Sequence, residues 1–304
     1  MDRYNKCNLC PRKCNIDRSK GVGICNSTDK CNIVRAALHY WEEPCISGSN
    51  GSGTIFFAGC NLKCVFCQNY KISDGKSMYG VEVSVDRLVE IFFELQKKGA
   101  NNINFVTPTH YMPHIKKAII LARKEGFNLP FVYNTSGYEE MEIIRELDGL
   151  IDIYLTDLKY FDSELSFNYS RARDYFDKAS KAIEEMVRQV GKATFNDEGM
   201  MQSGVIVRHM ILPAHTIDSK KIIEYLYNTY GNDIYISIMN QYTPVEISKI
   251  EVYPELKRTI TKREYSKVVD YALELGVENA FIQEGETFKE SFIPEFNGDG
   301  CIKE

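Results

Sequence analysis

Residues Gly53–Tyr70 read GTIFFAGCNLKCVFCQNY, and this stretch decides the fold. Thr54–Ala58 is a short apolar run that predicts a buried strand. Immediately after it, Cys60, Cys64 and Cys67 follow in the pattern C-x3-C-x2-C. A loop at the C-terminal end of a parallel strand is where α/β folds place their chemistry. Three thiolates at this spacing suit three corners of a 4Fe–4S cubane, which normally takes four, so one iron stays open to a ligand. The other readings are three ordinary buried thiols, or a zinc site completed by a distant fourth ligand.

Working outward, similar apolar runs recur at Asn102–Val106, Phe131–Asn134, Asp152–Thr156, Val205–Leu212, Asp233–Met239 and, more weakly, Glu278–Ile282. Their apolar residues are near-continuous, as in parallel strands covered on both faces. Helical patterns lie between them. Ser84 is placed to cap a helix with Leu88, Ile91, Phe92 and Leu95 on one face and Gly99 as its stop. A second helix is expected from about Ser170 to Val190, and Asp218 opens another. Thr194–Ser203 reads as an exposed turn. Alternating strands and helices predict an α/β fold with a parallel sheet, and six units are too few for an eight-stranded barrel.

The chain has 304 residues and ten cysteines, nine of them within the first 67 positions. The N-terminus lacks the apolar core of a signal peptide, so a cytoplasmic location is expected and disulfides are a poor default. Short Cys spacings then point to metal. Cys7, Cys10, Cys14 and Cys25 are spaced C-x2-C-x3-C-x10-C, a closed four-ligand set suited to zinc or to a second 4Fe–4S cluster. Cys31 and Cys45 are alternative ligands, and Cys301 reads as a bystander in a polar tail. The expected division is a Cys-rich metal-binding extension with connector over 1–52, the main unit over 53–285 and a tail over 286–304. A net charge of −5 argues against a broad nucleic-acid face. No apolar run approaches the roughly 20 residues of a membrane span.

The triplet, with Phe66 just before its last Cys, resembles the signature of radical S-adenosylmethionine (SAM) enzymes. The resemblance extends over CNLCPRKCNIDR (Cys7–Arg18), LHYWEEPCISG (Leu38–Gly48), NFVTPTH (Asn104–His110), DIYLTDLKY (Asp152–Tyr160), VRHMILP (Val207–Pro213) and SIMNQYTP (Ser237–Pro244). These segments look like the proteins similar to pyruvate formate-lyase activating enzyme, which install glycyl radicals. The resemblance implies a partial (β/α)6 barrel with a 4Fe–4S cluster on Cys60, Cys64 and Cys67. It also implies reductive cleavage of SAM to a 5′-deoxyadenosyl radical that abstracts hydrogen, with an electron donor such as flavodoxin or ferredoxin.

It assigns cofactor contacts as well. Phe66 belongs to the signature. The family's Gly-Gly-Glu is replaced by Thr107-Pro108-Thr109-His110, where Thr107 is placed to accept from the SAM ammonium. His110 and His114, at i and i+4, are expected to serve the loop rather than a metal. Asn134, Thr135 and Ser136 resemble an Asp-Thr-Asn-Gly segment that approaches SAM and a monovalent cation, although Asn134 lacks the charge. Asp157 and Lys159 match the activases' Asp-x-Lys, with Lys159 reaching the SAM carboxylate. On the next strand Arg208 and His209 point to opposite faces, one toward the barrel. Asn240 and Gln241 are candidates for the ribose or adenine edge. Three functions fit: a glycyl radical activase with a protein partner; a radical SAM enzyme acting on a small molecule, peptide or RNA; and a metal-binding regulatory module without catalysis. The intact triplet and the Asp-x-Lys pair argue against the last.

Overall fold

The computed structural model describes residues 3–74, 80–245, 250–283 and 293–303. The strands are β1 (Cys31–His39), β2 (Ser52–Phe57), β3 (Val81–Val83), β4 (Ile103–Val106), β5 (Phe131–Thr135), β6 (Ile153–Asp157), β7 (Thr194–Phe195), β8 (Met201–Met210), β9 (Tyr235–Met239) and β10 (Ala280–Ile282). They form one sheet in the order β10-β9-β8-β6-β5-β4-β2-β1-β3, with β7 paired to the start of β8. From β2 to β10 along this order every pairing is parallel. All seven apolar runs read from the sequence lie in this parallel part.

Two strands lie outside that reading. β1 pairs antiparallel with β2, and β3 pairs antiparallel with β1. Residues 31–39 and Ser52, expected in the Cys-rich extension and its connector, therefore belong to the main sheet. The expected helix over 170–190 is also two: α6 (Ser163–Ser170) ends at Arg171 in a left-handed conformation, and α7 (Tyr175–Val190) starts afresh. The turn at 194–203 is a short hairpin of β7 on β8. Ser84 caps α3 (Val85–Lys97) through its side chain, as expected.

Period-two alternation divides the sheet into two faces. Phe105, Phe131, Tyr133, Tyr154, Val205 and Val207 pack with α3, α4 (Met112–Lys124), α7 and α8 (Thr216–Tyr230) in the main core. The other face carries Val132, Ile153, Leu155 and Ile206, which pack against Cys45 and Ile46 of the short helix α1 (Pro44–Ser47). α1 is held at the N-terminal edge of the strands, where Asn102 Nδ2 donates to the Ile46 carbonyl at 2.7 Å. Further along the same strands this face turns polar, with Asn104, Asn134, Asp157, Arg208 and Ser237. The described part of the tail lies against β1 through Ala36 N–H to Asp299 O and Gly298 N–H to Val34 O. It buries Cys301 in the main core, so this thiol packs rather than hangs in a polar tail. No helix of the described residues is long and apolar enough to cross a membrane.

Candidate active site

The cysteine loop is shaped by its backbone. Gly59 has φ +88°, and a Cβ there would lie 2.4 Å from Ser27 Oγ and 2.6 Å from the Cys25 carbonyl. Only glycine fits this approach of the N-terminal segment. Lys63, with φ +61°, turns the chain between Cys60 and Cys64. The Leu62 amide points at Cys60 Sγ at 3.4 Å, and Ser170 Oγ donates to Cys64 Sγ at 3.1 Å. Phe66 is buried edge-on to Tyr160, Tyr169 and Tyr242 and fixes the loop from behind.

Arg12 ties the N-terminal segment to this loop. Its guanidinium donates to the carbonyls of Asn61 (2.9 Å), Leu62 (3.1 Å) and Ser170 (2.8 Å), and to that of Arg171. Arg18, fully buried, donates to the His110 carbonyl at 2.6 Å. The Cys-rich segment therefore docks at the cysteine-loop end of the sheet. Within it, Cys7, Cys10 and Cys25 are buried. A Cβ on Gly23 would lie 3.1 Å from Cys14 Sγ and 3.8 Å from Cys25 Sγ, so these two thiols face one glycine. Burial, with Cys25 and Cys7 nearby, pushes the Cys10 thiol up to about 12.

Cys60, Cys64 and Cys67 line one cavity of about 730 Å³, together with Phe66, Thr107, Asn134, Thr135, Ser136, Asp157, Lys159, Arg208 and Gln241. That volume lies in the range of small-molecule sites. Burial, then the neighbouring thiols Cys60 and Cys64, push Cys67 up to about 12. Burial also raises Cys64, against the opposing charge of Lys159. Three soft donors crowded on one wall fit an iron–sulfur cluster, because ligation by iron relieves that repulsion. Among the described residues no three His, Cys, Asp or Glu side chains are gathered about a single-ion site.

Below the cysteines lies a buried charge network. Lys159 Nζ meets Asp157 Oδ2 at 2.6 Å. Arg208 Nε meets Asp157 Oδ1 at 2.9 Å, its Nη1 meets Glu42 Oε2 at 3.0 Å, and its Nη2 donates to Asn134 Oδ1 at 2.6 Å. Glu42 Oε1 also accepts from Asn104 (3.2 Å) and Asn134 (3.1 Å). Burial alone would raise Asp157, but Lys159 and Arg208 hold its carboxyl below the usual range. Burial raises Glu42 despite Arg208.

The sequence-derived candidates divide accordingly. Asn134 spends both ends of its amide on Glu42 and Arg208. Thr135 donates to Glu139. Thr107 sits at φ +59° on the cavity wall. Gln241 lines the cavity, whereas Asn240 is buried outside its lining. Arg208 faces inward, and His209 faces outward onto the Leu158 carbonyl and Ser219. His110 is spent on the Ala58 carbonyl and His114 on Tyr4. Glu42 and Glu43 had no assigned role in the sequence reading. Their one signal was two adjacent acids inside LHYWEEPCISG.

Known proteins share sequence or fold with this chain. The chain is 29% identical over 278 residues to the uncharacterised protein MJ0674 of Methanocaldococcus jannaschii, covering 88% of this chain and 75% of that one. A radical SAM methyltransferase from Sphaerobacter thermophilus superposes with a TM-score of 0.50 at 12% identity, over 78% of this chain and 68% of that chain. SuiB from Streptococcus suis, solved with S-adenosylmethionine, gives 0.48 at 16% identity over 74% of this chain; the match spans about half of SuiB, 48%. Residues 54–226 match the radical SAM superfamily. The chain belongs to the radical SAM superfamily.

Proposed function

We propose that this chain is an enzyme that cleaves SAM reductively and uses the resulting radical on a slender substrate, a small molecule or a peptide tail. The observation that carries the reading is that Cys60, Cys64, Cys67, Asp157 and Lys159 line one cavity. In it the sheet acts as a partial barrel. The cluster, held by the three thiolates, and SAM together supply a 5′-deoxyadenosyl radical for hydrogen abstraction. This chain's own residues do the rest. Lys159 offers a positive point charge to the SAM carboxylate while Asp157 orients it. Thr107, on the cavity wall, accepts from the SAM ammonium, and Gln241, which also lines the cavity, meets the ribose or adenine edge. Phe66 and its aromatic neighbours keep water from the loop.

The slender substrate is favoured by the Cys-rich segment. Its docking beside the cysteine loop through Arg12 and Ser27 adds a segment next to that loop, which supports a slender substrate over a protein loop. In the same proposal Cys7, Cys10, Cys14 and Cys25 hold a second metal, a reductant such as flavodoxin or ferredoxin supplies the electron, and the protein works in the cytoplasm. The test is anaerobic incubation of reduced enzyme and SAM with glycyl radical enzymes from the same cell, in parallel with small-metabolite and peptide fractions. We expect 5′-deoxyadenosine formation stimulated by a metabolite or peptide fraction. A SAM-dependent glycine-centred doublet in electron paramagnetic resonance would replace this reading with glycyl radical activation.

A further inference from the structure

β1 ends at His39 opposite Ser52, the first residue of β2. The next residues, Tyr40–Pro44, therefore enter the cavity from the N-terminal edge of the strands, opposite the cysteine loop. They bring Glu42 and Glu43 onto the cavity floor. Glu42 is fully engaged by Asn104, Asn134 and Arg208. Glu43 is not. It is only 8% exposed, and its Oε2 is buried without a hydrogen-bond partner. Ser237 is its side-chain donor, and Arg208 beside it is already spent on Asp157, Glu42 and Asn134. The network holds three carboxylates, Glu42, Glu43 and Asp157, against two cations, Arg208 and Lys159. Lys63 is the third cation of the cavity lining, and Glu43 Oε2 is the carboxylate oxygen of this floor left buried without a partner.

The lining also includes apolar side chains, Phe56, Met210, Met239 and Phe281, and the half-exposed rings of Tyr40 and Trp41. A buried carboxylate oxygen without a partner costs several kcal/mol unless a cation or proton meets it.

We propose that Glu43 anchors the substrate of this enzyme by its cationic amine, a primary ammonium at the end of an apolar stem. The stem lies along the apolar part of the lining, and the ammonium supplies the partner that Glu43 Oε2 lacks. This deepens the proposed function and rests on the cavity admitting the substrate.

The test uses cluster-reconstituted protein, titrated anaerobically by calorimetry with pentylammonium chloride and with 1-pentanol as the neutral probe. We expect the ammonium to bind at least about tenfold more tightly, the ratio expected of one charge-assisted hydrogen bond. Glu43→Gln should bring the two probes together and leave SAM affinity unchanged; Glu43→Asp should retain part of the preference. Equal binding of the two probes by the unaltered protein overturns the proposal, and needs no variant. So does a preference that survives Glu43→Gln, loss of SAM affinity in that variant, or displacement of pentylammonium by potassium chloride at equal concentration. Ammonium preference in a protein that fails to cleave SAM counts for the anchor and against the proposed reaction.

Discussion

Replacing Arg208 by Met keeps the aliphatic stem and deletes the cation that joins three strands. Arg208 sits between Asp157 on β6 and Ser237 on β9 in the sheet register. Its removal leaves Glu42 and Asp157 buried with one shared cation fewer, and Asn134 Oδ1 without its donor. Removing one partner from a buried charge network costs about 3–5 kcal/mol, a third or more of a typical domain's stability. At about 2–4 °C per kcal/mol for a chain this large, the midpoint should fall by roughly 6–20 °C. The surface pair Lys192–Asp233, with side chains 78% and 50% exposed, is the control; Lys192→Met should leave the midpoint nearly unchanged.

The loss should depend on pH. Asp157 is held below its usual pKa by Lys159 and Arg208, so its stabilisation is present above the ordinary carboxylate range and lost as pH falls through its folded value. Burial raises Glu42, so its charged form opposes folding at high pH and protonation relieves that as pH falls. Without Arg208, Glu42 loses its charged partner and Asp157 keeps only Lys159, so the charged forms of both are less favoured in the folded state. The stability gap between Arg208→Met and the unaltered protein should therefore be widest near pH 7.5 and narrow toward pH 4.5. Adding Glu42→Gln should recover part of it. Urea unfolding across that range is the assay. A gap below about 1 kcal/mol, or one that does not change with pH, would refute the reasoning.

Two further predictions follow from the same geometry. Lys159→Ala should weaken SAM binding by about 1.5–3 kcal/mol, measured by equilibrium dialysis on the reconstituted protein; unchanged affinity would remove Lys159 from the SAM site. Gly59→Ala should lower iron loading and destabilise the fold by more than the ~1–2 kcal/mol of the left-handed backbone alone, because its Cβ meets Ser27 and Cys25. Gly99→Ala, at φ +91° with nothing within 4 Å, should cost only that backbone amount, and equal losses at the two sites would contradict the docking of the N-terminal segment.

The parallel strands from β2 to β9 were legible because they are largely buried on both faces and so read as local apolar runs, while the partly exposed β10 read more weakly. The cysteine loop was legible because three soft ligands at fixed spacing have few other uses. β1 and β3 were not, since their place depends on pairing antiparallel to a strand distant in sequence, and Cys31–His39 mixes Arg35 and His39 among its apolar residues. The break at Arg171 escaped because helical spacing continues on both sides of it. Glu42 and Glu43 gave no local sign of their partners, which come from β4, β5, β8 and β9 and meet only in the folded sheet. Where the Cys-rich segment docks was hidden for the same reason: it turns on Arg12 reaching four carbonyls far along the chain.

The central claim is that Cys60, Cys64 and Cys67 hold the cluster that cleaves SAM. Anaerobically reconstituted and reduced protein should show a reduced-cluster resonance and release 5′-deoxyadenosine from SAM. Replacing all three cysteines by Ala should abolish 5′-deoxyadenosine release and remove about four irons per chain, the content of one cubane. A triple variant that still releases 5′-deoxyadenosine at the unaltered rate would contradict the account.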